Sequence, residues 1–444
     1  MNEETRKLIL EKAQEQNALF NEYQSLEQGA KILINGAYGA TGTPLFIFYN
    51  RDFAECITKQ GKDAILYAER CINQYFMYEW VRDTALHKAM GVEVHGEVTG
   101  EVSVYIDTDS CYTSYDQIIA TTDWCYKDGE TNWRIKYRKP DDPADKWRYR
   151  YFCGRRSEEY VKRIFGLDNK AKVAEYILER VKGEVKDFVL LINELKMEGY
   201  FKECFDRYAE KLQTKNYLNF ELETYSDAGI WLAKKKYAQN LRWSDKLSKT
   251  DCYPPLSKIK AKGIEMIQAS APAGARKMIK KLVVWMFENP KFTPNELRDK
   301  VEECRRIFVN MPIEDMCWNK KPNGYATYVI DDTDDIKLAK KCPATISAMA
   351  LYNYLLKRHP KSMTLYPLLR DGNKYKYYYC KPFRGLEMCA FESGLFPKEF
   401  APDIDKNACF EHGVLDPMNR FMAAMGFNKI SFAHGALESN NKLF

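Results

Sequence analysis

Between two stretches of helical periodicity the chain changes period. In EVSVYIDTDSCYTSYD, Val102, Val104 and Ile106 alternate with other residues, Asp107 to Ser110 carries turn chemistry, and Cys111 and Tyr112 resume an extended pattern. Period-two alternation, a tight polar break and a second extended run predict a β-hairpin with Asp-Thr-Asp-Ser at its tip. Before it, Ile9, Ala13, Phe20, Tyr23, Leu26 and Ala30 recur at gaps of three, four or seven, and KDAILYAERCINQYF collects Ala64, Ala68, Cys71, Ile72 and Tyr75 on one side. Both patterns predict helices. A hairpin set among helices makes the chain α+β.

The hairpin tip places two carboxylates, Asp107 and Asp109, at i and i+2. In a regular strand these positions share a face. At a turn the two charges crowd and repel unless a divalent cation bridges them, and hard oxygen donors on a tight tip suit Mg²⁺. An Asx-turn uses the same residue types without a metal.

KILINGAYGATGTPLF, residues 31–46, has the glycines of a dinucleotide-binding turn, but that turn needs a strand before the glycines and a helix after them. Here the preceding residues are helical in pattern, and Pro44 stands where the phosphate-binding helix would start. Read instead as the end of a helix, the stretch puts Lys31, Asn35 and Tyr38 on one face over ~10 Å. A cation, an amide and a phenol in a row suit a triphosphate at one end and a flat base pair at the other. A surface Lys and Asn beside a buried Tyr is the plainer reading.

Further along, residues 123–165 are irregular and interrupted by Pro140 and Pro143, as in an exposed insertion. The helical period returns over NKAKVAEYILERVKGEVKDFVLLINELKM, YPPLS at Tyr253 marks a candidate boundary, and NMPIEDMCWNKKPNG reads as a hinge. Net charge is +6, unevenly placed: residues 234–263 carry nine Lys/Arg against two Asp. Basic residues neutralise phosphates, and a solvated surface uses the same residues. The 13 Cys show no C-x-x-C pair and no zinc spacing, so they read as reduced thiols rather than a disulfide framework, and five His argue against a His-rich metal site. The longest apolar run, Leu282–Phe287, is far short of the about 20 residues of a membrane span. The N-terminus has no signal-peptide pattern. These features predict a cytoplasmic protein.

Taken together, K-x-x-x-N-x-x-Y-G at Lys31–Gly39 and Y-x-D-T-D-S at Tyr105–Ser110 resemble the fingers helix and the catalytic palm hairpin of family B DNA polymerases, especially those of large tailed phages. AKKKYAQN, with Lys234, Lys235, Lys236 and Tyr237, is similar to the basic element with which that family holds the primer–template minor groove. GVLDPMNRFMAAMGF resembles the last thumb helix of the phage enzymes. The resemblance implies the C-terminal portion of a right-hand polymerase, with a fingers remnant, palm and thumb. Residues 1–50 would be partial fingers helices, 51–253 a palm with an antiparallel hairpin and the insertion near 123–165, and 254–444 a mostly helical thumb. It further implies that Lys31 contacts the incoming dNTP beside Asn35 and that Tyr38 packs under the nascent base pair. Asp109, supported by Asp107, would ligate two Mg²⁺ ions, and Lys235 and Tyr237 would touch the primer end of the DNA.

Two departures stand out. The family has Ser after the Asn, where this chain has Gly36. The family's other metal-binding aspartate lies in a D-x-x-S-L-Y-P element upstream of the fingers. In MTLYPLLRDG the matching position is Lys361, and the segment follows the hairpin. The expectation is therefore a split polymerase, with an initiator Met about thirty residues before the Lys31 helix. An N-terminal polymerase/exonuclease chain would supply the missing aspartate and fingers, sharing the metal-ligand set. Leu443 and Phe444 suit docking to a sliding clamp, and equally a frayed terminus. The competing classes are a non-catalytic DNA-binding subunit derived from a polymerase and, more distantly, a dinucleotide enzyme.

Overall fold

The computed structural model describes residues 3–90, 92–123, 131–138, 147–152, 176–182, 185–244, 258–321, 323–433 and 436–439. It is a mixture of helices and small antiparallel sheets, α+β as the periodicities predict. Two compact units divide at Phe220/Glu221, with short segments between residues 136 and 175 assigned to the second. The candidate boundary at Tyr253 and the clamp-docking residues Leu443 and Phe444 lie outside the described residues.

In the first unit, α1 (Glu3–Thr41) runs unbroken through Gly29, Gly36 and Gly39. A strand-fed phosphate turn is therefore absent from residues 31–42, and the helical reading of that stretch holds. Of the expected apolar stripe, Phe20, Tyr23, Leu26 and Ala30 are exposed and form no core. Leu19, Tyr23, Leu26 and Leu33 are all more than half exposed.

The second helix, α2 (Arg51–Gln74), starts at Asn50, whose side chain accepts from the Phe53 N–H at 2.9 Å. Its apolar side does form core. Ala68, Ile72, Tyr75 and Phe76 bury against Trp80, Ile118, Phe188 and Phe201. The helix continues through a π-helical turn, Tyr75–Glu79. Strands β1 (Ser103–Asp107) and β2 (Ser110–Thr113) pair antiparallel with Asp107 opposite Ser110, the hairpin expected from the alternation. Helix α3 (Val185–Ile192), a second π-helical turn (Asn193–Met197) and α4 (Glu198–Lys211) pack on the same core.

Three predictions of local structure are corrected. The region read as an irregular insertion contains strands Thr131–Arg138 and Trp147–Phe152. They form one sheet with Tyr176–Lys182, a segment whose pattern had suggested helix. Short runs with Ile and Val fit either period, and strand pairing decides between them. The expected hinge is a 3₁₀ turn, Ile313–Met316, followed by strand Trp318–Lys320, which pairs with Tyr375–Tyr377.

The second unit opens with β3 (Thr224–Ala233), β4 (Lys236–Ser244) and β5 (Lys258–Lys262) in the order β5-β4-β3. Helices α5 (Ala273–Glu288), α6 (Pro294–Phe308) and α7 (Ala344–Lys357) build its core with strands Tyr375–Phe383 and Leu386–Glu392 and helix α8 (Asp416–Ala424). Leu282, Leu297, Phe308, Tyr352, Phe391 and Phe421 are fully buried there. A capping box between Thr293 and Glu296 starts α6. The GVLDPMNRFMAAMGF segment supplies α8, helical as expected.

Candidate active site

The hairpin tip is strained. Thr108, the residue between the two aspartates, has φ 62°. A β-branched residue there is a true outlier, because Cβ crowds the following carbonyl. The Asp109 N–H donates back to the Asp107 carbonyl at 2.7 Å, closing a three-residue turn. Strain of this kind persists only where the surroundings enforce it. The Thr108 hydroxyl donates to Asp107 Oδ1 at 3.1 Å, and the Ser110 hydroxyl donates to Asp109 Oδ1 at 3.3 Å. Asp107 is buried, 6% exposed, while Asp109 faces solvent.

Helix α2 holds this hairpin in place. Asn73 Oδ1 accepts from the N–H groups of Val102 and Ser103 at 3.0 Å each. Its Nδ2 donates to the Ser103 hydroxyl at 3.0 Å, and that hydroxyl donates to Glu69 at 3.1 Å. Neither Asn73 nor Glu69 stands out in the sequence. One asparagine on an amphipathic helix carries no local signal, and its role depends on a strand some thirty residues away.

Lys31, Asn35 and Tyr38 lie together on the exposed surface of α1, whose C-terminal end meets the start of α2. Tyr38 is 36% exposed, not buried. Lys31 pairs with Glu27 one turn earlier, Nζ to Oε1 2.5 Å. Glu27 was not among the expected site residues, although an i,i+4 Glu–Lys pair is readable from spacing. Gly36 has open space where a Cβ would stand, so no close packing explains it.

The donor set at the tip is two carboxylates and backbone oxygen. Mg²⁺ is commonly held by one or two carboxylates together with substrate phosphates and waters, and Asp107 and Asp109 fit that role. Among the described residues no group of three or more His, Cys, Asp or Glu side chains could form a metal site.

In the second unit, Lys234 and Lys235 form the two-residue turn between β3 and β4, and Lys236 opens β4 opposite Ala233. All three lysines are exposed, and Lys235 has φ 59°. Gly263 abuts this turn: a Cβ there would meet the Lys235 carbonyl oxygen at 2.1 Å. Tyr237 is 4% exposed, packed in the sheet opposite Trp231 and Lys262. Its body is therefore a sheet-packing group. On the neighbouring strand, Lys258, Lys260 and Lys262 occupy alternate positions and so line one face. The K-x-K-x-K alternation was visible in the sequence as part of a basic segment, but only strand pairing shows that it sits beside the Lys234–Lys236 turn.

No helix among the described residues is long and apolar enough to cross a membrane. Residues 2–123 match the model of DNA polymerase family B. A DNA-directed DNA polymerase of Escherichia phage RB69 is 24% identical over 405 residues, covering 89% of this chain and 36% of the phage protein. The chain thus spans about a third of the length of that relative.

Proposed function

Because this chain is a relative of the phage family B DNA polymerases, we propose that it carries part of the centre for template-directed DNA synthesis, transferring a nucleotide from dNTP to a primer 3′-hydroxyl. The observation that carries the proposal is the strained Asp107–Asp109 tip, anchored by α2, the helix that follows the one bearing Lys31, Asn35 and Tyr38.

In this reading Asp109 presents its exposed carboxylate to Mg²⁺ and Asp107 backs it from the strand end. When bound there, paired ions supply charge neutralisation at the phosphates and a more acidic primer hydroxyl. Lys31 gives up Glu27 and takes the triphosphate. The exchange is cheap, because an exposed ion pair is worth only about 0–1 kcal/mol. Asn35 lies beside it, and Tyr38 offers its ring to the nascent base pair. Lys234, Lys235, Lys236 and the β5 lysines neutralise primer–template phosphates.

We infer that the two carboxylates of the tip are completed by ligands on further polypeptide. We place these ligands on a partner chain that also brings the remaining fingers and the exonuclease. The exposed Leu19, Tyr23, Leu26 and Leu33 of α1 suit a covering helix of that partner. The apolar Leu443–Phe444 peptide is assigned to clamp docking, so deleting the last six residues lowers only clamp-dependent processivity.

Primer extension tests the reading. The chain supplemented with a polypeptide bearing D-x-x-S-L-Y-P extends primers, and the chain by itself does not. Efficient extension by the chain by itself removes the partner. Asp109→Ala cuts synthesis by at least ~10²-fold while DNA binding stays unchanged. Synthesis that survives this substitution favours instead a non-catalytic DNA-binding subunit, a role the lysine-rich sheet of the second unit could fill without the aspartates.

A further inference from the structure

We propose that Cys71 and Cys204 form a thiol–disulfide switch, in which a peroxide oxidises Cys204 to a sulfenic acid and Cys71 resolves it to a disulfide that staples α2 to α4. The two cysteines come from helices that pack together in the first unit and line the same cavity. Both are free thiols. A cavity of about 600 Å³ opens onto them, lined also by Tyr67, Tyr200, Lys196 and Arg207, so a molecule as small as hydrogen peroxide has a route to sulfurs that are otherwise buried.

The pair is chemically asymmetric. Arg207 Nη2 donates to Cys204 Sγ at 3.2 Å. The hydrogen bond from Cys71 and the facing guanidinium bring the Cys204 thiol down to about 7, against the effect of burial. Cys71, the donor in that contact, is pushed up. Thiolate is the reactive form, so Cys204 attacks and Cys71 waits. Elsewhere burial pushes the thiols of Cys304 and Cys409 up, to about 11 and about 12.

The steps balance. The Cys204 thiolate attacks one peroxide oxygen, an S–O bond forms, the O–O bond breaks, and hydroxide leaves and takes up a proton as water. Cys71 then attacks the Cys204 sulfur. The S–S bond forms, the S–O bond breaks, and the hydroxyl departs as water with the Cys71 proton. Two thiols lose two electrons and two protons, and one peroxide becomes two waters. A reversible disulfide among otherwise reduced thiols is the form that redox-sensing pairs take. Cys71 lies two residues before Asn73, which holds the aspartate hairpin, so the staple acts on the helix end that positions the candidate active site. Only this consequence for synthesis rests on the function proposed above.

The full chain is treated with hydrogen peroxide, alkylated and mapped as unreduced peptides. The expected product is a Cys71–Cys204 cross-link in most chains, reversed by dithiothreitol. In Cys71→Ser, dimedone traps a sulfenic acid at Cys204. Recovery of both cysteines as free, alkylated thiols under peroxide that oxidises the exposed Cys56 overturns the proposal. So does a dimedone adduct at Cys71 in Cys204→Ser, which would reverse the order of attack. Both readouts are chemical, so a failure of the polymerase reading leaves them intact.

Discussion

In the proposed reading, single residues set the chemistry at two places, the Asp107–Asp109 tip and Lys31. At the tip, Thr108 accepts a backbone conformation that costs about 1–2 kcal/mol so that two carboxylates can stand two residues apart on a closed turn. At Lys31, the partner is a neighbour on the same helix, Glu27. Removing that competitor leaves the ammonium available to a triphosphate. Glu27→Gln is therefore expected to lower the KM for dNTP by about two-fold, consistent with an exposed pair worth a fraction of a kcal/mol, with kcat nearly unchanged. Steady-state primer extension by the completed enzyme measures both. A higher KM would mean that Glu27 orients Lys31 instead of competing for it.

Elements decide whether those residues are held in place. The hairpin depends on Asn73 of α2, which satisfies two backbone N–H groups at the start of β1 and bonds the Ser103 side chain. Asn73→Ala leaves two donors without their acceptor and is expected to cost about 1–3 kcal/mol, read as a lower urea midpoint at unchanged m-value. A midpoint within error of the parent would show that water replaces the side chain. In the second unit the lysine turn depends on Gly263, which has φ 66° and lies against the Lys235 carbonyl. Gly263→Ala combines left-handed strain with a contact no side chain tolerates. It is expected to destabilise by at least about 2 kcal/mol and to weaken duplex binding in a filter or anisotropy assay. Normal binding by a folded variant would free the lysine turn from this constraint.

At the scale of the whole molecule, two cores belong to two units, and each responds to its own charges. In the second unit Glu303 sits between Lys281 and Lys300, whose hydrogen bonds hold its carboxyl down at about 2. A lowered carboxyl stabilises the fold above the ordinary glutamate value of 4.5, and that contribution is lost as pH falls toward about 2. These side chains are well exposed, so the effect is a fraction of a kcal/mol. Calorimetry is expected to resolve more than one transition, with Glu303→Gln flattening the acid dependence of one of them between pH 4.5 and 2. A single transition, or an unchanged acid profile, would contradict this. Period and spacing in the sequence were enough for the α+β class, the long α1 and the hairpin that carries Asp107 and Asp109 at its tip, because each is written within a few turns of chain. Tertiary structure alone decided that Phe20, Tyr23 and Leu26 of the α1 stripe face solvent, that Tyr176–Lys182 is a strand, that Tyr237 is packed in a sheet, and that Asn73, Gly263 and the Cys71–Cys204 pair matter. Those facts depend on contacts between residues far apart in sequence, and no local pattern records which distant backbone or side chain will arrive beside a given residue.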